Sequence, residues 1–239
     1  MKEFHVITVG IGILMNFSRF VKSDKAPKKW LRVLEKYKLD TWPKISPEDP
    51  EQTRIIGHAH RGDEVFEHLL EFVKNFPEES SPELNAFFKF LKSRSKWKDD
   101  VEIALYSTDT GAGWLCSMVL YHYLKDVEFK IVSEPARIGK SGWGSSFFEE
   151  TLAEVMDKIA RIIVSKKNQG YRVYLNATGG FKPEATFATI AALLVDVDGV
   201  YYIYERFNEV VLLPSPPLSI KHEYMKAVSK LREEPIPVH

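Results

Sequence analysis

Hydrophobic positions along the chain change rhythm near residue 100. Residues 4–9 (FHVITV) form a short, β-branched apolar run that ends at Gly10. That is the pattern of a buried parallel strand feeding a tight turn. Residues 24–60 are polar and irregular, punctuated by Pro27, Pro43, Pro47 and Pro50. A short helix is expected over 28–37, with the rest an excursion across the surface. Residues 64–75 and 83–93 carry apolar positions at helical spacing, and Ser81 stands as an N-cap before Pro82. Beyond residue 100, strands expected over 101–106, 127–132, 171–175 and 200–205 alternate with helices over 113–124, 147–166 and 183–195. Residues 209–213 read as a closing antiparallel strand, 214–217 (PSPP) stop the sheet, and 220–231 suit a final helix. Strand, turn and helix alternate at least three times. This predicts an α/β fold, a mostly parallel sheet with helices on both faces and a helical insertion after the first strand. One domain is expected over 1–239, with the insertion at 24–98 and a C-terminal tail at 214–239.

Composition narrows the function. Thirty-three basic residues balance thirty-three acidic ones, for a net charge of zero. A protein that tracks long nucleic acid usually carries a basic excess, so no long nucleic acid is expected as partner. A small anion in one local pocket fits the charge better. The apolar run at 4–17 is too short and too interrupted by Gly10, Gly12 and Asn16 to span a bilayer. It also lacks a signal-peptide cleavage pattern. No membrane partner and a cytoplasmic location are therefore expected. The single cysteine, Cys116, lies in an apolar stretch and reads as a core residue rather than a nucleophile.

In an open α/β sheet, ligands bind at the carboxyl ends of the strands. Three loops expected there are rich in glycine and hydroxyl residues. The first holds Gly10, Ile11, Gly12 and Asn16. The second runs Ser107, Thr108, Asp109, Thr110, Gly111. The third runs Asn176, Ala177, Thr178, Gly179, Gly180, Phe181, Lys182. Glycine lets backbone amides approach a phosphate, and a following helix start adds positive potential. Lys182 supplies a full charge beside them. The first loop lacks the third glycine of a dinucleotide fingerprint, and no Walker-type phosphate loop occurs. Of the three, the Asn176–Lys182 turn is the most specific, because few purely structural demands call for a polar Gly-Gly turn ending in lysine.

The stretch 175–184 (LNATGGFKPE) resembles the motif of the CRISPR-associated Rossmann-fold (CARF) proteins of type III CRISPR systems. The similarity is to the branch with standalone ring nucleases and the N-terminal halves of HEPN ribonucleases. Residues 8–16 (TVGIGILMN), 81–86 (SPELNA), 105–111 (LYSTDTG) and 204–214 (YERFNEVVLLP) are also similar to that branch. The resemblance implies a Rossmann-like fold and a homodimer whose paired strand-end faces bind a cyclic oligoadenylate, with cyclic tetra-adenylate the expected ring. It implies Lys182, Thr178 and Asn176 as catalytic residues of metal-independent ring cutting, with no cofactor and no metal. Ligand contacts are expected from Gly10, Ile11, Gly12, Asn16, Ser107, Thr108, Thr110, Gly111, Gly179, Gly180 and Phe181 of the three strand-end loops, and from Arg137. Where many relatives carry a hydroxyl residue in the first loop, this chain has Ile11 and Gly12. That departure keeps a second reading open, a non-catalytic sensor of the same ring that regulates an effector.

Other candidate chemistry has plainer readings. His58 and His60 flank Ala59 without metal-spaced partners. Arg54 to His60 and Arg61 to His68 spell HEPN-like spacings, but both precede the second strand and read as coincidence. The loop at 134–145, with Lys140 and Trp143, suits either a cover over the ligand or a solvated loop. Asp196 and Asp198 follow a helix end and read as a turn.

Overall fold

A computed structural model describes residues 1–23, 26–138, 145–180, 182–204 and 207–213, the side chains of 145–150 excepted. Phe181, Lys140, Trp143 and the expected helix over 220–231 lie outside the described residues. Strand β1 (Glu3–Val9) is followed by helices α1 (Gly12–Val21), α2 (Lys28–Tyr37), α3 (Glu51–Gly57), α4 (Glu64–Asn75), α5 (Pro77–Ser80) and α6 (Pro82–Ser93). The alternating half comprises β2 (Val101–Thr108), α7 (Gly111–Asp126), β3 (Lys130–Ile131), β4 (Ala136–Ile138), α8 (Ser145–Asn168), β5 (Arg172–Asn176), α9 (Lys182–Leu194), β6 (Gly199–Tyr204) and β7 (Glu209–Leu212). The fold is mixed α/β and Rossmann-like, as the alternation predicts.

The sheet order is β3-β2-β1-β5-β6-β7, with β4 also paired to β2. Every pairing is parallel except β6 with β7. β1 is central, with β2 and β5 on either side. Chain order departs from it in opposite directions, which makes the β1–β5 boundary the topological switch point.

Side chains alternate across the sheet with period two. Ile7, Val9, Ile103 and Leu105 join one buried cluster with α1, α2, α4, α6 and α7 residues. Phe4, Val6, Ala104 and Tyr106 join another with α8 and α9 residues. Helices therefore cover both faces. Each insertion helix with a good cap starts where the sequence provides one. Asp63 accepts from the amides of Val65 and Phe66 at 2.8 and 3.2 Å. Ser81 accepts from Leu84 at 3.2 Å, with Pro82 at the first helical position.

Two expectations need correction. Residues 28–37 form the expected helix, α2, but the residues from 38 to 60 are not a surface excursion. Trp30, Leu39, Trp42 and Ile55 are at most 1% exposed, and Trp30 packs on Phe17 and Phe72 at ring distances of 5.7 and 5.6 Å. Sparse large apolar residues among lysines and prolines hide this burial from a periodicity reading. The strand expected over 127–132 shrinks to Lys130–Ile131. Helix α7 continues to Asp126, and Glu128 takes a left-handed φ of 66° that closes the helix end. Val127 is spent on that cap and on packing against the core.

At the amino end of β1, His5 is fully buried and its Nδ1 lies 3.0 Å from the Tyr201 hydroxyl. Its Nε2 stands 3.6 Å from Glu3 Oε2, beyond hydrogen-bond reach, and neither atom has another partner. Burial pushes the His5 pKa below the ordinary histidine value, against the pull of Glu3. The unfolded chain therefore takes up this proton first. The neutral, buried imidazole contributes its full stability above about pH 6.5 and loses it as pH falls below that value. The urea midpoint should drop between about pH 7.5 and 5.5. His5→Gln should flatten the slope in part, because His122 is shifted in the same direction by burial.

Candidate functional site

The register aligns the strand ends on one edge of the sheet. Val9 pairs with Ser107, Ile7 with Asn176, and Ser107 with Arg137. The first, second and third loops therefore emerge side by side, and the second and third lie about 10 Å apart across the end of β1, two strand spacings.

The first and third loops touch. Thr8 donates its hydroxyl to the Gly179 carbonyl at 2.7 Å, beside the Asn176 carbonyl at 3.2 Å. A side chain on Gly10 would stand 2.7 Å from the Gly180 nitrogen, so only glycine admits this approach. Gly180 has φ +99°, a second reason for glycine in this turn. Asn176 is completely buried. Its Nδ2 donates to the Glu83 carbonyl at 2.9 Å, and its Oδ1 accepts from the Thr178 amide at 3.1 Å. Asn176 thus shapes the turn from beneath, and its position gives it no open face toward a ligand. Thr178 is half-buried and its hydroxyl oxygen accepts from the Ile203 amide at 3.2 Å. Lys182 is exposed at the first residue of α9.

Glu83 is the residue that sequence reasoning missed. It is 2% exposed, yet it comes from the insertion. Its Oε1 accepts from the Gly10 amide at 3.0 Å, and its Oε2 accepts from the Ser81 hydroxyl at 2.7 Å. Gly179 lies directly against the same carboxylate. The available signal was the SPELNA stretch, which places Glu83 in the first turn of α6. Its carboxylate reaches across to β1.

The insertion also covers the other loops. Gly12 lies against the Pro82 ring. Asn16 donates to the Ser80 carbonyl at 3.2 Å, and Ile11 packs against the core beside it. Gly111 donates its amide to Gln52 Oε1 at 2.6 Å, and Gln52 is itself held by the Ile45 and Ser46 carbonyls at 3.1 Å each. Thr110 caps α7 by accepting from Gly113 at 3.0 Å. Ser107 is buried and donates to the Thr108 carbonyl at 2.8 Å. The amides of Gly10 and Gly111 are thus engaged inside the chain rather than turned toward a ligand. Among the described residues, the groups with open surface around the strand ends include Asp109, Thr110, Arg137, Thr178, Gly180 and Lys182, while Thr108 is buried with its hydroxyl 3.3 Å from that of Thr110. Arg137 stacks over the Trp114 ring at 4.4 Å and lies 3.8 Å from Asp109.

The remaining candidates fall into structural roles. Burial pushes the Cys116 thiol up to about 12, which leaves no thiolate near neutral pH. His58 pairs with Asp63 at 2.9 Å and stacks on Trp42 at 5.3 Å. Arg54 pairs with Glu51, and Arg61 with Glu67 and Asp126. Among the described residues, no three His, Cys, Asp or Glu side chains gather as a metal site, and no helix is long and apolar enough to cross a membrane.

The close fit around Gly179 makes a direct prediction. Gly179→Ala drives a methyl into the Glu83 carboxylate, and overpacking of this kind costs about 1–3 kcal/mol. Thermal unfolding should show a midpoint lower by about 2–4 °C for each kcal/mol lost. Gly57→Ala, where a side chain meets open space, is the control.

Glu83, the second loop and the third loop all fall within one stretch that extends past β7 at the sheet edge. Over residues 78–216 that stretch matches the family model described as CRISPR-associated protein (Cas_APE2256). More than half of the chain is covered by the match, and the chain belongs to this CRISPR-associated family.

Proposed function

We propose that the chain binds a cyclic oligoadenylate, cyclic tetra-adenylate, across a homodimer of CARF type and cuts it. The observation that carries this reading is the third loop. Its Thr178–Gly180 turn opens onto the start of α9 with Lys182 exposed beside it. A glycine turn, a helix start and a lysine lie together there, a combination that suits a phosphate. Family membership places the chain in CRISPR biology, and the strand-end face lies at the switch point where α/β folds take ligands. A two-fold pair presents the same face twice, which matches a ring with its own symmetry.

The ring brings its own nucleophile. A ribose 2′-OH attacks the adjacent phosphorus, the bond from phosphorus to the next 5′ oxygen breaks, and the 2′ proton ends on that leaving oxygen. The products are linear, with a 2′,3′-cyclic phosphate and a 5′-OH. The protein aligns the 2′ oxygen with the leaving oxygen and stabilises charge on the phosphate oxygens. Lys182 supplies the charge and the Thr178 hydroxyl orients the phosphate. Arg137, held flat on Trp114, lies at the far side of the face and suits an outer phosphate or a base.

A second reading rests on the first loop. Ile11 and Gly12 offer no hydroxyl, and the Gly10 amide is already taken by Glu83. In this reading the chain senses the ring without cutting it and regulates an effector such as a HEPN-type ribonuclease.

One assay separates them. Radiolabelled cyclic tetra-adenylate is incubated with the purified protein in excess EDTA. Ring cutting gives linear product, slowed about a hundredfold by Lys182→Ala, the scale of losing one charge-stabilising group. Tight binding of an intact ring supports the sensor. Sedimentation at the same concentrations should report a dimer. Neither binding nor turnover would overturn both readings.

A further inference from the structure

The buried carboxylate of Glu83 comes from the insertion and touches the first loop and the third loop together. Its Oε1 takes the Gly10 amide at 3.0 Å, its Oε2 takes the Ser81 hydroxyl at 2.7 Å, and Gly179 rests against it. Its own carbonyl takes the Asn176 side chain at 2.9 Å. We propose that Glu83 is a positioning residue that sets the spacing of the two glycine loops at the switch point, and that reach rather than charge is what it contributes. It touches no ligand in this role and acts through Gly10 and Gly179. The ligand consequence rests on the cyclic-oligoadenylate reading; the loop-ordering consequence does not.

The geometry gives the reason. Gly10 stands too close to the Gly180 nitrogen to carry a side chain, and Gly180 is held at φ +99°, so these loops have no side chains of their own to fix them. A side-chain acceptor of the right length satisfies the Gly10 amide that its own loop leaves unpaired, and here the bond crosses between a strand end and a helix start. A carboxylate beneath a phosphate-binding turn also repels the phosphate. That cost is tolerable only if the side chain is needed for its length and for the acceptor it gives Gly10.

Three substitutions divide reach from charge. Glu83→Gln keeps the length and the acceptor for Gly10 but removes the charge. Glu83→Asp keeps the charge but falls short by one methylene. Glu83→Ala removes both. Amide hydrogen exchange is measured on the ligand-free protein at Gly10, with Val6 inside β1 as the internal reference. Wild type and Glu83→Gln should protect Gly10 alike, while Glu83→Asp and Glu83→Ala should exchange it at least tenfold faster with Val6 unchanged. Calorimetry with cyclic tetra-adenylate should follow the same order, with Gln within threefold of wild type and Asp weaker by tenfold or more. Equal protection in Glu83→Asp and wild type would overturn the proposal, as would a Glu83→Gln variant as unprotected as Glu83→Asp. Should Glu83→Ala fail to fold, the Gln and Asp pair decides alone. Should wild type not bind the ring, the ligand reading fails while the exchange pattern still decides the role of Glu83.

Discussion

Between two neighbouring parallel strands whose connections run opposite ways, a sheet leaves a crevice, and something must fill or line it. Here the carboxylate of Glu83 lies there, with Gly10 on one side and Gly179 on the other. The third loop can approach the first because Gly10 carries no side chain where it meets the Gly180 nitrogen and because Thr8 ties the Gly179 carbonyl from below. Asn176 then anchors the base of the turn to the main chain of Glu83 itself. The strand-end face therefore depends on an element remote in sequence. Without the helical insertion, the loops have neither a spacer nor a covered side.

This arrangement redistributes the chemistry that the glycine motifs suggest. Amides that look available in the sequence are consumed by Glu83 and Gln52. Among the described residues, the groups remaining at the surface include the third loop and the Arg137–Trp114 stack. A buried carboxylate beneath this face raises the electrostatic cost of placing any anion there. The exposed charge of Lys182 opposes that cost, since it sits at a helix start where positive potential already accumulates.

The insertion also explains why the core is so aromatic on one face. Trp30, Phe17, Phe20, Phe72 and Phe76 stack edge and tilt around one another. Each aromatic buries a large apolar area, which holds several short helices against the sheet without strong caps of their own. The polar network of Glu3, His5 and Tyr201 lies at the opposite end of β1 from the loops. Acidification thus loads strain at the end of the sheet remote from the strand-end face.

The sequence by itself determined the layered α/β class, the order of most strands and helices, the antiparallel closing strand and the three strand-end loops. Period-two and period-3.6 patterns and glycine punctuation are local signals, and local signals survive in a bare chain. It did not reveal that Trp30, Trp42 and Ile55 are core residues, because their burial depends on neighbours from α1, α4 and α7. Only the tertiary structure decided that Glu83 lies beneath the glycine loops and that Gln52 occupies the Gly111 amide. Those bonds join residues 73 and 59 positions apart. A hydrogen bond across such a separation leaves no periodicity, and whether a polar side chain meets solvent, ligand or another loop is settled only when the layers close.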